Sequence, residues 1–238
     1  MLAQMEDPDA SAMTDDGDEE FTDEFDDEFE DEFDADGPPP VSDPLETMNR
    51  GFFWFNDKLY FYVLKPAAKA FRVLPEDVRA SIANFFSHWT SPARFINALL
   101  QAKINDAGNE LGRFAINTTL GVGGLFDAAK EQAGLRRKDE DFGQTLGVYG
   151  FKPGMYLVIP VFGPSNVRDG IGRLVDGVMD PKYIYLDEKP YWGSRAVEAV
   201  NEISLDKDTY EAIKRDALDP YLFVRDAYMQ NRAGKVAK

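Results

Sequence analysis

The chain has 238 residues, a formal net charge of −17, one histidine and no cysteine. The absence of cysteine excludes disulfides, thiol catalysis and Cys-based metal sites. The first 43 residues carry nineteen acidic side chains and no Lys or Arg, so the remainder has 24 acidic and 26 basic residues, and the net charge says nothing about what that remainder binds.

The N-terminal segment is expected to be a disordered acidic tail. Within residues 14–34, Phe21, Phe25, Phe29 and Phe33 recur every four positions, each preceded by acidic residues. Dense like charges repel one another, and four Phe side chains bury too little area to offset the cost of ordering the chain. A partner that neutralised the acids would bring these rings onto one side of a helix. A solvated tail, a partner-docking motif and weak divalent-cation binding all remain open.

We divide the chain into two parts on composition. Residues 1–42 hold the acidic Phe-repeat tail and a linker in which Pro38, Pro39 and Pro40 form a stiff spacer. Residues 43–238 are long enough to form one domain with a substantial core.

The domain is predicted to be all-α, because proline marks the helix starts with unusual regularity. A capping residue precedes proline at 43–44, 91–92, 180–181 and 219–220, and Glu46 would complete a capping box with Asp43. An apolar stretch at 156–161, bounded by proline and glycine, indicates a short extended piece. The predicted helices span about 44–64, 66–72, 75–87, 92–101, 104–118, 123–133, 166–178, 193–203, 206–217 and 220–232.

Residues 52–62 form an aromatic segment without a polar face. Aromatic side chains at 52–55 point in four directions on a helix, and only the three residues at 56–58 interrupt the run. A helix that is apolar all round is either buried in a core or immersed in lipid, and both remain open here. The longest unbroken apolar run, 59–64, is far shorter than the roughly 18 residues needed to span a bilayer. We predict that the membrane-contacting residues include Phe52, Phe53, Trp54, Phe55, Tyr60, Phe61 and Tyr62.

A second aromatic cluster and two groups of glycines follow. Tyrosine and tryptophan suit the boundary between lipid headgroups and acyl chains, where an apolar ring with one polar atom is satisfied. Glycine inside helices costs about 0.5–1 kcal/mol relative to alanine, so its repeated use indicates close backbone approach or hinge mobility. The later aromatic cluster is Tyr183, Tyr185, Tyr191 and Trp192, and the glycines are Gly121, Gly123, Gly124, Gly143, Gly147, Gly150 and Gly154.

The sequence gives little support for catalysis. Hydrolysis needs a nucleophile, a base and an orienting group, and the single histidine, His88, has no nucleophile-elbow motif to serve. We expect His88 to be a packing or surface residue at a helix end. No carboxylate cluster lies outside the tail, so no metal or cofactor site is predicted.

Charged residues in the domain are interpreted as surface pairs. Asp169, Asp176 and Asp180 alternate with Arg168 and Arg173 along a predicted helix, at spacings that favour surface ion pairs. A nucleic-acid partner is not expected, because the basic run at 136–138 is followed at once by three acidic residues.

Short segments along residues 43–230 together match a known pattern. They are DPLE at 43–46, NR at 49–50, FN at 55–56, NFFS at 84–87, RFAINT at 113–118, LGVGG at 120–124, Asp127, FGQTLGVYG at 142–150, RD at 168–169, DPY at 219–221, VR at 224–225 and AY at 227–228. In this order they resemble the VacJ/MlaA family of outer-membrane lipoproteins, although no single segment is specific.

The resemblance implies a ring-like bundle of amphipathic and interfacial helices in the inner leaflet of the Gram-negative outer membrane, around an amphipathic channel. It implies removal of mislocalised phospholipid from the outer leaflet and transfer to a periplasmic Mla lipid carrier, in association with a trimeric porin. The protein would face the periplasm and have no catalytic residue. The glycines would then form a hinge bordering the lipid path. An interfacial phospholipase and a soluble structural adaptor are the alternatives.

The chain departs from the family pattern in two ways. Members of the family carry a lipidated cysteine at the mature N-terminus, and this sequence has no cysteine. We expect either that the sequence omits the anchor or that an apolar surface and a porin hold the protein at the membrane. The acidic Phe-repeat tail also lies outside the pattern, so the resemblance implies no role for it.

Overall fold

The structure is a computed structural model that describes residues 41–206 and 208–237. The predictions for the acidic tail therefore fall outside the described residues. The all-α prediction is confirmed, with a single two-stranded sheet in the described part of the chain. The helices are α1 (Glu46–Leu59), α2 (Lys65–Phe71), α3 (Glu76–Trp89), α4 (Ser91–Leu100), α5 (Ile104–Thr119), α6 (Ala128–Ala133), α7 (Phe142–Val148), α8 (Val167–Met179), α9 (Pro181–Tyr185), α10 (Glu188–Leu205), α11 (Thr209–Asp216) and α12 (Pro220–Ala237).

Two further elements complete the fold. A π-helical turn, Tyr60–Leu64, joins α1 to α2 without a break. The strands β1 (Tyr156–Ile159) and β2 (Gly163–Asn166) pair antiparallel, with Tyr156 opposite Asn166. The predicted extended piece at 156–161 thus forms β1 and the turn that follows it. Among the described residues, no helix has both the length and the apolarity to cross a bilayer.

Several predicted boundaries were wrong. The predicted break near residue 65 is absent, because Pro66 falls in the first turn of α2, where its missing N–H costs nothing. The helix expected from 123 begins at Ala128, since the glycines before it form a turn. Helices α7 and α9 were missed, and α10 begins five residues earlier than predicted.

The predicted capping box at Asp43 and Glu46 was also wrong. No side chain caps α1, and Asp43 instead accepts hydrogen bonds from Asn49 Nδ2 at 2.8 Å and from the hydroxyl of Tyr221. Its carboxylate therefore connects the start of α1 to α12. The caps at 180–181 and 219–220 are confirmed, because Asp180 accepts from the N–H of Lys182 and Asp219 from that of Tyr221.

Two asparagines, seven residues apart on one face of α1, hold the helix against β1 and the turn that follows it. Asn49 is fully buried; its Nδ2 donates to the carbonyl of Tyr156 at 3.0 Å, and its Oδ1 accepts from the N–H of Val158 at 2.9 Å. Asn56 repeats the arrangement, donating to the carbonyl of Ile159 at 3.1 Å and accepting from the N–H of Val161 at 2.7 Å. The amide side chains thus hold the backbone of the hairpin along the axis of α1.

The buried apolar core of the described residues is small. Tyr156, Val158 and Tyr221 form its centre, where β1 meets α1 and α12. Elsewhere, polar and charged side chains outnumber apolar ones among the buried residues, and most of the buried apolar side chains are alanines. Such a distribution is unusual, because charged side chains are almost never fully buried unless they are paired. The polar groups of this interior are therefore central to the search for a site.

Candidate functional site

The aromatic residues predicted to contact a membrane divide into two groups by exposure. The exposed group consists of Trp54, Phe55 and Tyr62, which have 61%, 44% and 74% of their surface exposed. The other group is half-buried and consists of Phe52, Phe53, Tyr60 and Phe61.

The half-buried aromatic rings pack against neighbouring helices. Phe53 lies edge-on to Tyr221 of α12, with ring centroids 5.6 Å apart. Tyr60 and Phe61 contact Tyr210 of α11, at centroid distances of 4.9 and 6.1 Å. These rings join α1 and the π-helical turn to the C-terminal helices, so they contribute to folding whatever else they contact. Within the described part of the chain, none of the three exposed rings packs against another aromatic ring, and Lys58 Nζ lies 5.9 Å from the rings of Trp54 and Tyr62.

Exposed apolar side chains are widespread beyond this segment. Three members of the later aromatic cluster, Tyr183, Tyr185 and Trp192, are more than half exposed. Isolated exposed apolar residues need no explanation, but an extended set of them marks a surface that meets a partner or lipid. Further exposed members are Leu111, Phe114, Leu120, Val122, Phe126, Phe151, Val161, Phe162, Ile171 and Leu174.

Arg232 of α12 lies at the centre of a polar cluster in the interior. Its Nη1 and Nη2 donate to the two oxygens of Asp141 at 2.6 and 2.8 Å, and its Nε donates to Asp169 at 2.7 Å. Asp169 also accepts from the Tyr228 hydroxyl at 2.9 Å and from Arg168 Nε at 3.0 Å. Burial raises the pKa of Asp169, but the hydrogen bonds and charge of Arg232 outweigh it and hold that pKa below its ordinary value.

The interpretation of residues 168–180 as surface ion pairs is therefore wrong. Arg168, Asp169 and Asp180 are buried, because α8 packs closely on α7 and turns its acids inward. Asp176 accepts from Asn97 Nδ2 at 2.8 Å and from a backbone N–H of α7. Burial raises the pKa of Asp176 to about 6, although these hydrogen bonds oppose the rise. Only Arg173 of this set is exposed.

A second polar cluster lies between α4, α5 and α6. Glu110 is fully buried and accepts from Arg94 Nε at 2.8 Å and from the Ser91 hydroxyl at 3.1 Å. Arg113, one turn further along α5, donates to Asp127 at 3.0 Å. The sequence patterns did not predict these buried pairs. The available signal was the spacing of three residues between Glu110 and Arg113, which places both charges on one side of α5.

The glycines at 121–124 form a tight turn against α3. A Cβ on Gly121 would lie 2.3 Å from the carbonyl oxygen of Phe126 and 2.7 Å from that of Asn117, so the turn requires its absence. Gly124 has a φ of +90° and packs directly on the side chain of His88, while Gly123 has a φ of +69° and open space around it. Close approach and positive φ both account for glycine here.

The later glycines serve different purposes. Gly143 and Gly147 lie inside α7 and touch the buried polar cluster, since a Cβ on Gly143 would lie 2.6 Å from Asp169 Oδ1. Gly150 and Gly154 have φ values of +89° and +71°, which any other L-residue would adopt only with strain. Close packing explains Gly143 without mobility. The assignment of these glycines to a hinge stays a prediction.

Replacing Gly172 by alanine tests the close approach of α7 and α8. The new Cβ would lie 2.4 Å from the backbone nitrogen of Gly143, so one helix must move. We expect the free energy of unfolding, measured by urea titration, to fall by about 1–3 kcal/mol. Gly177→Ala is the matched control, because it lies on the same helix with nothing within 4 Å and should stabilise the protein slightly. Equal effects at both positions would contradict the close crossing.

His88 is a packing residue in the structure. Its ring stacks on Phe114 at 4.8 Å with an interplanar angle of 7°, and its Nε2 lies 3.2 Å from the Thr118 hydroxyl. Burial, with the nearby charge of Arg94, lowers the pKa of His88. Within residues 41–206 and 208–237, no group of three or more His, Asp or Glu side chains is arranged to hold a metal ion.

Comparison with known proteins places these features in context. The family described as MlaA lipoprotein matches residues 41–235. The "Intermembrane phospholipid transport system lipoprotein MlaA" of Haemophilus influenzae is 33% identical over 207 residues, covering 82% of this chain and 79% of its own length. Its counterpart in Escherichia coli is 35% identical over 195 residues, covering 79% of this chain and 76% of its own length. A solved structure described as "Structural basis for maintenance of bacterial outer membrane lipid asymmetry" shares 36% identity at a TM-score of 0.73 and covers 82% of this chain and 99% of that chain.

Proposed function

Because the chain belongs to the MlaA lipoprotein family, we propose that it is a component of an intermembrane phospholipid transport system at the outer membrane of a Gram-negative bacterium. It contributes there to the lipid asymmetry of that membrane. The relatives carry names that refer to such transport, and the solved structure is described in terms of outer-membrane lipid asymmetry. The proposed role is binding and passage of intact lipid, without a catalytic step.

One observation supports this proposal above the others. The described residues bury charged and amide side chains, and they expose large aliphatic and aromatic ones. In water such a distribution is unfavourable, because removing apolar surface from water stabilises a protein by roughly 25 cal/mol per Å². In a bilayer the same surface is satisfied by acyl chains, while the buried polar groups are satisfied by one another.

The finer steps of the proposal rest on what the resemblance to the VacJ/MlaA family implies. Mislocalised phospholipid leaves the outer leaflet through an amphipathic channel and passes to a periplasmic lipid carrier, while a trimeric porin holds the protein in place. The exposed aromatics, among them Trp54, Phe55 and Tyr62, contact the membrane. The turn at Gly150 and Gly154 supplies backbone freedom next to the buried cluster of Arg232, as a gate beside the lipid path requires.

Lipid analysis of the purified protein tests the proposal. Native mass spectrometry of the full chain, extracted in a glycoside detergent, should find intact phospholipid bound to it. We expect no accumulation of fatty acid or lysophospholipid during incubation with phospholipid vesicles, and no effect of His88→Ala on lipid content.

Two results would contradict this function. Steady release of fatty acid that is lost in His88→Ala would identify an interfacial phospholipase. A protein that stays monodisperse without detergent and carries no lipid would be a soluble structural adaptor.

A further inference from the structure

An arginine of α8 lies beside the apolar tip of the β-hairpin. Arg173 of α8 donates from Nη1 to the carbonyl of Phe162 at 3.1 Å and from Nη2 to the carbonyl of Pro164 at 2.8 Å. These two bonds fix the plane of the guanidinium against the hairpin. A guanidinium has five N–H donors, so three remain available to another acceptor.

No carboxylate of the described residues forms an ion pair with Arg173. The two acids that helical spacing brings closest are Asp169, one turn before it, and Asp176, one turn after it. Both are turned into the interior, where Asp169 binds Arg232 and Asp176 binds Asn97. Within the described residues, the exposed guanidinium of Arg173 therefore has no anionic partner.

The surface around the guanidinium is apolar. Val161 and Phe162 at the tip are 62% and 49% exposed, and Leu174, the next residue of α8, is 73% exposed. Val161 has a φ of +71°, a strained conformation for a β-branched residue, which is held by its hydrogen bond to Asn56 of α1. That bond joins the tip to α1. Arg173 is thus a fixed cation beside exposed apolar side chains.

We propose that Arg173 and the hairpin tip form a binding site for the phosphodiester group of a membrane phospholipid, with the acyl chains lying over the exposed side chains of the tip and α8. A guanidinium with free donors binds phosphate through paired hydrogen bonds, and Arg is favoured over Lys for such planar recognition. The apolar surroundings select a phosphate that carries acyl chains over a free phosphate. The site rests on the proposed transport function, since it supplies a place on the exterior where a headgroup is held.

The binding test uses three probes with the full chain in a phosphate-free glycoside detergent. The first is short-chain phosphatidylglycerol below its micelle concentration, the second is glycerophosphate, and the third is the neutral lipid diacylglycerol of the same chain length. Isothermal titration should show binding of the short-chain phospholipid, with clearly weaker binding of the other two. Glycerophosphate binding as tight as the phospholipid would replace the proposal with a free-phosphate site.

The variants separate the charge of Arg173 from its role in holding the hairpin. Gly177 lies one turn after Arg173 with nothing within 4 Å of a Cβ built there, so a side chain fits without disturbing the fold. Gly177→Glu places a carboxylate within reach of the guanidinium, where it competes with phosphate, and Gly177→Gln is the control of equal size without charge. Arg173→Gln removes the cation altogether.

We expect Arg173→Gln to weaken short-chain phospholipid binding by about tenfold or more, because a charged hydrogen-bonded contact contributes on that scale. Gly177→Glu should weaken it in the same direction, and Gly177→Gln should leave it unchanged. If neither Arg173→Gln nor Gly177→Glu alters binding while phospholipid still co-purifies, the site is wrong and the transport function stands. If the wild-type protein neither binds nor carries phospholipid, both proposals fail.

Discussion

Replacing Arg232 by methionine should lower the free energy of unfolding by about 3–5 kcal/mol, because it removes the cation from a buried cluster of acids. Arg232 is 9% exposed and bonds to Asp141 and Asp169, of which Asp169 is the more deeply buried. Methionine fills a similar volume, so the loss of stability comes from the carboxylates that remain in the interior without their cation. Urea unfolding at neutral pH, followed by circular dichroism, measures the change.

The pH dependence gives an independent check on this result. The pKa of Asp169 is lowered in the folded protein, so its contribution to stability is present above its ordinary pKa of about 3.9 and is lost as the pH falls through the lowered value. Without Arg232 the pKa of Asp169 rises, because the largest contribution that opposes its burial is lost, so protonation relieves part of the penalty. The stability difference between wild type and variant should therefore be largest near neutral pH and shrink below about pH 4.

Arg215 offers a matched control for that experiment. It lies exposed on α11 and pairs with the equally exposed Asp216. Surface pairs of this kind contribute little, so Arg215→Met should unfold with the wild-type midpoint at every pH. Equal effects of the Arg215 and Arg232 variants would show that the cluster around Arg232 does not hold α12 to α7 and α8.

The triple replacement of Trp54, Phe55 and Tyr62 by serine should release the protein from phospholipid vesicles while leaving its helicity unchanged. Each aromatic ring that leaves water contributes up to roughly 1.5–3 kcal/mol, and a factor of ten in partitioning corresponds to about 1.4 kcal/mol. Losing all three should therefore weaken vesicle binding by about a hundredfold or more. Co-sedimentation with vesicles at increasing lipid concentration measures the effect.

The half-buried aromatics provide the comparison for that triple variant. Phe52, Phe53 and Phe61 contact the core or Tyr210, so replacing them by serine should lower the unfolding midpoint as well as vesicle binding. Unchanged vesicle binding in the exposed variant would show that these three rings do not contact lipid. Loss of helicity in that variant would show that they are needed for folding.

The sequence was sufficient to predict the fold class and most helix ends. A capping residue followed by proline marks the start of a helix, which depends on only a few neighbouring residues. The caps at Asp180 and Asp219 formed as expected. Helix α7 was missed because Gly143 and Gly147 have poor helix propensity. It forms because α8 packs against its glycines at very short range, a tertiary contact that no local pattern reveals.

The polar interior could not be predicted for a related reason. Arg232 binds Asp141 and Asp169, which lie 91 and 63 residues away along the chain, and each charge alone is typical of a solvated helix face. Asp43 had the spacing of a helix cap, yet its carboxylate binds Asn49 and Tyr221, because the folded chain brings α12 within reach. The exposure of individual rings in residues 52–62 could not be predicted either, since Tyr210 and Tyr221 of the C-terminal helices cover some of them.

The asparagines of α1 have a consequence for how this protein meets other chains. An exposed strand edge is a template on which another polypeptide can add a strand, and such edges promote aggregation. Along the side of β1 away from β2, Ser42, Asn49 and Asn56 occupy the N–H and carbonyl groups of residues 156–161 that a new strand would use. This edge of β1 is therefore covered by α1, and a strand could add there only by displacing the asparagines.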